Sequence, residues 1–161
     1  MTADWTNYFS VMAGAAATLT GLVFVSVSIN LPRILDGAGL PGRAAESLVQ
    51  LFGVVIISAA VLIPAQSQTA LGIEVLAIGS LLWVTQTISQ CRYLASKTGH
   101  PLAWALQRMI QTQFATVPFC VAGVLLMRGS PAAMYWLVPG CIFSLVGGVI
   151  GAWILLVEIL R

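Results

Sequence analysis

Long apolar runs separated by short polar breaks divide the chain into five segments. Tyr8 to Leu31, Ser47 to Gln66, Thr69 to Cys91, Met109 to Met127 and Met134 to Leu160 each reach the about 20 mostly apolar residues that a helix needs to cross a bilayer core. The pattern predicts an all-α fold: a polytopic transmembrane helix bundle of five spans, a single domain over residues 1–161. The fourth run is the least apolar, because "MIQTQFATVPF" mixes glutamines and threonines into its first half. A four-span alternative would leave it re-entrant or interfacial.

Composition removes the soluble class. Of 161 residues, 59% are hydrophobic and 7% charged, against about 25% charged in soluble domains. The net charge of +2 is small and dispersed, so nucleic acid is not an expected partner. "MTADWTNYF" carries Asp4 and no basic residue before its apolar run, which predicts a retained first span rather than a cleaved leader.

With five spans the cations sort by side. Arg33, Arg43, Arg92, Lys97, Arg108 and Arg161 fall on one side and Arg128 on the other. The positive-inside rule then predicts the N-terminus outside and the C-terminus cytoplasmic. Trp5, Tyr8, Tyr135 and Trp136 fall at the outer interface and Tyr93, Trp104 and Trp153 near the inner one, where amphipathic rings prefer to lie.

The first cytoplasmic connection, "LDGAGLPGRAAES", spells G-x-G-x-x-G with Gly37, Gly39 and Gly42. A dinucleotide site needs a strand before those glycines and a helix after them. Here a membrane-length segment precedes them and Pro41 interrupts them, so the stretch is expected to be a loop. In it, Arg33/Asp36 and Arg43/Glu46 are spaced to pair if the flanking ends stay helical. The "DG" of Asp36 and Gly37 also begins the metal signature of membrane alcohol phosphotransferases. Leu40 and Pro41 stand where that signature has Ala and Arg, and no aspartate follows Asp36, so no magnesium cage can form.

Polar residues inside spans are candidate chemistry, because each must find a partner in an apolar solvent. Glu74 is the only acid well inside a span, roughly 9 Å from the outer turn by helix rise. It is expected to be protonated, or to face water or a partner. Gln50, Gln86, Gln90, Gln111 and Gln113 cluster with serines and threonines in the cytoplasmic half. They suit either an inward vestibule or hydrogen-bonded glue between helices.

Small residues supply the packing code. Gly140, Ser144, Gly148 and Ala152 recur every four residues while Gly147 and Gly151 form a neighbouring G-x-x-x-G; Gly14 and Gly21 carry a similar strip in the first span. These strips can pack within the chain or between subunits. Pro118 predicts a bend in the fourth span. Cys91, Cys120 and Cys141 read as small apolar residues, with a Cys120–Cys141 disulfide as the alternative. His100, the only histidine, has no evident acid or cysteine beside it, so no enzyme, metal or cofactor is expected.

The stretches "GAAATLTGLVFVSVSINLPRIL", "LPGRAAESLVQLF" and "LIPAQSQ" resemble a family of small bacterial membrane proteins of unknown function, over the chain from its start to about residue 70. The resemblance implies a multi-pass protein of the bacterial inner membrane and carries no substrate or catalytic residue across. Two functions are therefore expected to compete. One is an oligomeric pore or transporter for ions or small solutes, with Glu74 and the glutamines along its path. The other is a non-catalytic accessory subunit of a larger membrane complex.

Overall fold

The computed structural model describes residues 3–37, 39–95 and 102–159, and among them it is helical with no strand. Six helices follow in order: α1 (Ala3–Ile29), α2 (Leu31–Asp36), α3 (Leu40–Leu62), α4 (Gln68–Ala95), α5 (Leu102–Met127) and α6 (Ala133–Ile159). All except α2 are long and apolar enough to cross a membrane. Helix is the form in which such a segment satisfies its own backbone N–H and C=O groups.

Helix ends follow local chemistry. Gly39 adopts the left-handed φ of 83° and Pro41 occupies the first turn of α3, where its missing N–H costs nothing. The Ser67 hydroxyl accepts the Ala70 amide to cap α4. After α5, Gly129 takes φ 69° while the Ser130 and Gly129 amides bond back to Leu125 and Leu126, the Schellman closure. Pro118 lies inside α5 and Pro139 inside α6.

Two boundaries need correction. The segment between the first two spans is not a loop: α2 fills part of it, and α3 starts at Leu40 rather than Ser47. A proline in the first turn is compatible with helix, so the polar residues Arg43 and Glu46 ride on α3. They also do not pair with each other. Arg43 pairs with Glu158 and Glu46 with Arg108.

Cross-contacts fix the arrangement. Trp5 at the start of α1 stacks edge-on to Tyr135 at the start of α6, with ring centroids 5.0 Å apart. Arg43 at the start of α3 meets Glu158 at the end of α6. Gln90 near the end of α4 meets Thr112 near the start of α5. The long helices therefore alternate in direction, giving one end with α2 (the α2 end) and one with the α3–α4 and α5–α6 turns (the turn end). Helices α3, α4, α5 and α6 close a ring in which each packs on its two neighbours, while α1 lies outside, chiefly against α3.

The core fills the turn-end half of this ring. Val54, Ile57, Val75, Phe119 and Leu137 are fully buried there. Glycines set how closely the helices approach. A Cβ on Gly123 would stand 2.7 Å from the Leu76 backbone nitrogen, and one on Gly72 would stand 2.8 Å from that of Met127, so α4 and α5 touch backbone to backbone. Gly140 makes room for the Phe119 ring, and Gly148 for Leu51.

Candidate functional site

At the α2 end the ring is polar. Because α3 begins at Leu40, its first turns carry Arg43, Glu46, Ser47 and Gln50 toward the starts and ends of three other helices. The Glu46 carboxylate is the hub. Its Oε2 accepts from Nε and Nη2 of Arg108 on α5, and its Oε1 accepts from the Ser89 hydroxyl on α4 at 2.7 Å. The Glu46 backbone carbonyl accepts from the Gln86 amide at 3.2 Å. One acid thus ties three helices. An Arg–carboxylate pair with two N–H donors is among the stronger charge-assisted contacts.

Two further links flank the hub. Gln90 Nε2 donates to the Thr112 hydroxyl at 2.6 Å, and that hydroxyl in turn donates to the Arg108 carbonyl. On the other flank, Arg43 Nη1 donates to Glu158 at 2.5 Å, joining α3 to α6. Gln86 and Gln90 are nearly fully buried, yet their side-chain carbonyl oxygens find no donor among the described residues. Such orphaned acceptors cost about 1–3 kcal/mol each where water cannot reach them.

Between these links lies a cavity of about 230 Å³ bounded by α3, α5 and α6. Its polar wall is made by Arg43, Glu46, Gln50, Arg108 and Gln111, and its apolar wall by Ile150 and Ile154. The space exists because α6 presents glycine: a Cβ on Gly147 would lie 2.7 Å from Gln50 Oε1 and 2.9 Å from Gln111 Nε2, and one on Gly151 would strike the Ser47 hydroxyl. Toward the turn end Leu51, Val54 and Phe119, none of which lines the cavity, have no exposed surface.

The expected site residues separate into groups. Gln50 and Gln111 meet in the cavity. Gln86 and Gln90 lie beside it, on the α4 side of the Glu46 hub. Gln113 turns away and accepts the Trp83 indole N–H at 2.7 Å on the exposed α4–α5 face. Glu74, half-buried on the second turn of α4, stands at the opposite end of the bundle, with the apolar layer between it and the glutamines.

The small-residue strips also part ways. Gly140, Ser144, Gly147, Gly148 and Gly151 all face neighbours inside the bundle, with the Ser144 hydroxyl against the Ala115 carbonyl. Gly14 and Gly21 have nothing within 4 Å of a built Cβ. Gly72, Gly79 and Gly123, which line the α4–α5 contact, are not part of the sequence expectation. Their signal is faint, since none belongs to a four-residue repeat. In the sequence Arg43 and Glu46 suggest a local pair and Arg108 a charge of the connecting segment, and nothing there joins Glu46 to Arg108.

Cys91, Cys120 and Cys141 are free thiols, so the disulfide alternative is not adopted; Cys120 faces the Ser80 hydroxyl at 3.9 Å. Among the described residues no group of His, Cys, Asp or Glu could hold a metal ion. His100, Lys97 and Arg161 lie outside the described residues, as do the side chains of Tyr93 and Trp104. Arg33 and Asp36, both exposed on α2, form no ion pair among the described residues.

Fold and site together define a bundle of five membrane-length helices with a polar, ion-paired chamber at one end. No family model, curated protein or solved structure matches the chain. Function is therefore argued from the chamber itself.

Proposed function

We propose that this chain is a small integral membrane protein of transporter type, with the chamber at the α2 end as its solute site. The observation that carries the reading is the juxtaposition of Gln50, Gln111 and two arginines around a cavity of about 230 Å³ inside an otherwise apolar bundle. Buried amides and guanidinium groups in a hydrophobic segment are costly. An open cavity among them is not what helix glue requires. The cavity lies just below the about 300–1,000 Å³ of drug-sized pockets, which suits an ion or a small polar group.

By the positive-inside rule the chamber faces the cytoplasm, because Arg33, Arg43, Arg92 and Arg108 gather at its end and Arg128 at the other. The same proposal takes the membrane to be a bacterial inner membrane, on the resemblance of the first 70 or so residues. The apolar layer at Leu51 and Phe119 supports a binding-and-release cycle over a permanently open pore.

Uptake into proteoliposomes, over a panel of inorganic ions, small polar solutes and short-chain lipids, tests this. We expect uptake of at least one member, abolished in Gln111→Leu and retained in Gln113→Leu, whose side chain lies outside the chamber. Absence of any flux, or equal flux in both variants, overturns it.

The accessory-subunit reading has its own observation. The strip of Gly14, Ala17, Thr18 and Gly21 on α1 is exposed, with open space at both glycines among the described residues, and suits close approach by another helix, from a second copy or from a different subunit. It predicts loss of a co-purifying chain in Gly14→Leu/Gly21→Leu with the fold intact.

A further inference from the structure

The walls of the chamber are polar, but its mouth is not. On α6, Phe143, Val146, Ile150, Trp153 and Val157 form one exposed stripe at three- and four-residue spacing, and on α5 Leu106, Ile110 and Phe114 form another. In a bilayer these are the lipid-facing sides of both helices. Ile150 belongs to the stripe and to the cavity wall at once, being 45% exposed while lining the chamber. On α5 the cavity-lining Gln107 is itself exposed, next to Leu106 in the stripe.

The cleft has a structural cause. Helices α5 and α6 touch where Phe114 stacks on Phe143 (centroids 5.5 Å) and where Ser144 reaches Ala115. Beyond that point α6 offers Gly147 and Gly151 and turns its contacts to α3 through Gly148 and Glu158. The start of α5 is held to α3 and α4 instead, through Glu46 and Gln90. At Gly147 the Gln111 side chain of α5 still reaches α6; toward the α2 end beyond it, the polar links of α5 run to α3 and α4.

Charge selects what would enter. Glu46 is neutralised by Arg108 and also satisfied by Ser89. Among the described residues Arg43 engages Glu158 through Nη1 alone, and a guanidinium has five donors. Its side chain is 14% exposed and lines the cavity, whereas Glu158 does not. The starts of α3 and α5, with their positive dipole ends, lie on this side as well, while the negative end of α6 is met by Arg43. The cavity surface thus carries two arginines against one carboxylate.

We infer that the chamber takes a phosphate-bearing amphiphile, which enters sideways from the bilayer between α5 and α6. The phosphate sits against Arg43 and the Gln50, Gln107 and Gln111 amides, and the acyl chain leaves past Ile150 and Ile154. This rests on the reading of the chamber as a ligand site and names the ligand class.

The test is native mass spectrometry of the purified full chain in a neutral detergent, with three probes: a phosphatidylglycerol, a diacylglycerol without phosphate, and glycerol 3-phosphate. We expect one retained phosphatidylglycerol per chain, no retained diacylglycerol and no displacement by glycerol 3-phosphate. Ile150→Trp, a change at an exposed position that plugs the mouth, should weaken retention by about tenfold or more, as should Arg43→Gln. Ile150→Ala and Glu158→Gln should retain the lipid, the second because it frees Arg43 rather than removing it. Circular dichroism and melting temperature identify a misfolded variant. Equal retention in Ile150→Trp and Arg43→Gln means a lipid of the belt only and overturns the inference. Glycerol 3-phosphate binding equally to the parent chain and to Ile150→Trp overturns lateral entry while leaving the solute site standing. No binding of any probe overturns both.

Discussion

Replacing Gly123 by alanine tests whether α4 and α5 are held backbone to backbone. The new Cβ would stand 2.7 Å from the Leu76 nitrogen and 2.8 Å from its Cα, whereas carbon contacts are optimal near 3.5–4.0 Å. The obstacle is main chain, so no rotamer change relieves it, and the two helices must part by about 1 Å. A gap of that size forfeits a quarter to a half of each facing contact, and overpacking of this kind costs about 1–3 kcal/mol. Alanine opposes the loss with a helix-propensity gain of up to about 1 kcal/mol over glycine.

A matched reference removes the opposing contribution. Gly14→Ala makes the same chemical change in α1, where nothing lies within 4 Å of the built Cβ. The difference between the two variants is then the steric cost alone, about 1–3 kcal/mol. With about 2–4 °C per kcal/mol for chains of this size, Gly123→Ala should melt about 2–12 °C below Gly14→Ala in the same detergent. Thermal unfolding followed by circular dichroism reads this directly. If Gly123→Ala melts at or above Gly14→Ala, the α4–α5 contact is not as close as described and the packing argument fails.

Three further outcomes follow from the same contacts. Glu46→Gln should destabilise the chain by somewhat less than the about 3–5 kcal/mol of breaking a fully buried pair, since the Arg108 side chain is 21% exposed; the Glu46→Gln/Arg108→Gln double variant should recover part of the loss in a denaturation cycle, and additive losses would refute the coupling. Cys91 is exposed and Cys141 fully buried, so a maleimide should modify Cys91 in the folded protein and Cys141 only after unfolding, as read by peptide mass. For the proposed orientation, an impermeant maleimide should label Ser130→Cys in intact cells and Gly42→Cys only after permeabilisation; the reverse pattern would invert the topology.

How far the sequence reached depends on whether the deciding partner is near in the chain. The five apolar runs predict the five long helices because length and hydrophobicity are local properties. The α6 strip was legible for the same reason, since Gly140, Ser144 and Gly148 repeat every four residues. Spacing alone does not decide where a strip points. Gly72 and Gly79 are seven apart, as are Gly14 and Gly21, yet the first pair is buried against α5 and the second stands open. The chamber was hidden by a similar ambiguity. Arg43 and Glu46 are three apart and suggest a local pair, whereas their partners Glu158 and Arg108 lie 115 and 62 positions away.

If the chamber is a solute site as proposed, the apolar layer decides what kind of transport could follow. A solute leaving the chamber for the turn end must pass Leu51, Val54 and Phe119, and each is packed where a glycine or a neighbouring side chain leaves no slack: Leu51 against Gly148, Phe119 against Gly140 and Gly79. Interiors packed this tightly shift between discrete arrangements rather than stretching. Passage therefore needs α6 to move relative to α3 and α5, against the Phe114–Phe143 stack, the packing of Leu51 and Phe119 on the α6 glycines, and the polar links of Arg43 to Glu158 and Ser144 to Ala115. Breaking the Arg43 link by Glu158→Gln should speed any flux limited by that motion, on the microsecond-to-millisecond scale of such steps. A channel already open would show no change, and a chain that only binds would show no flux to change.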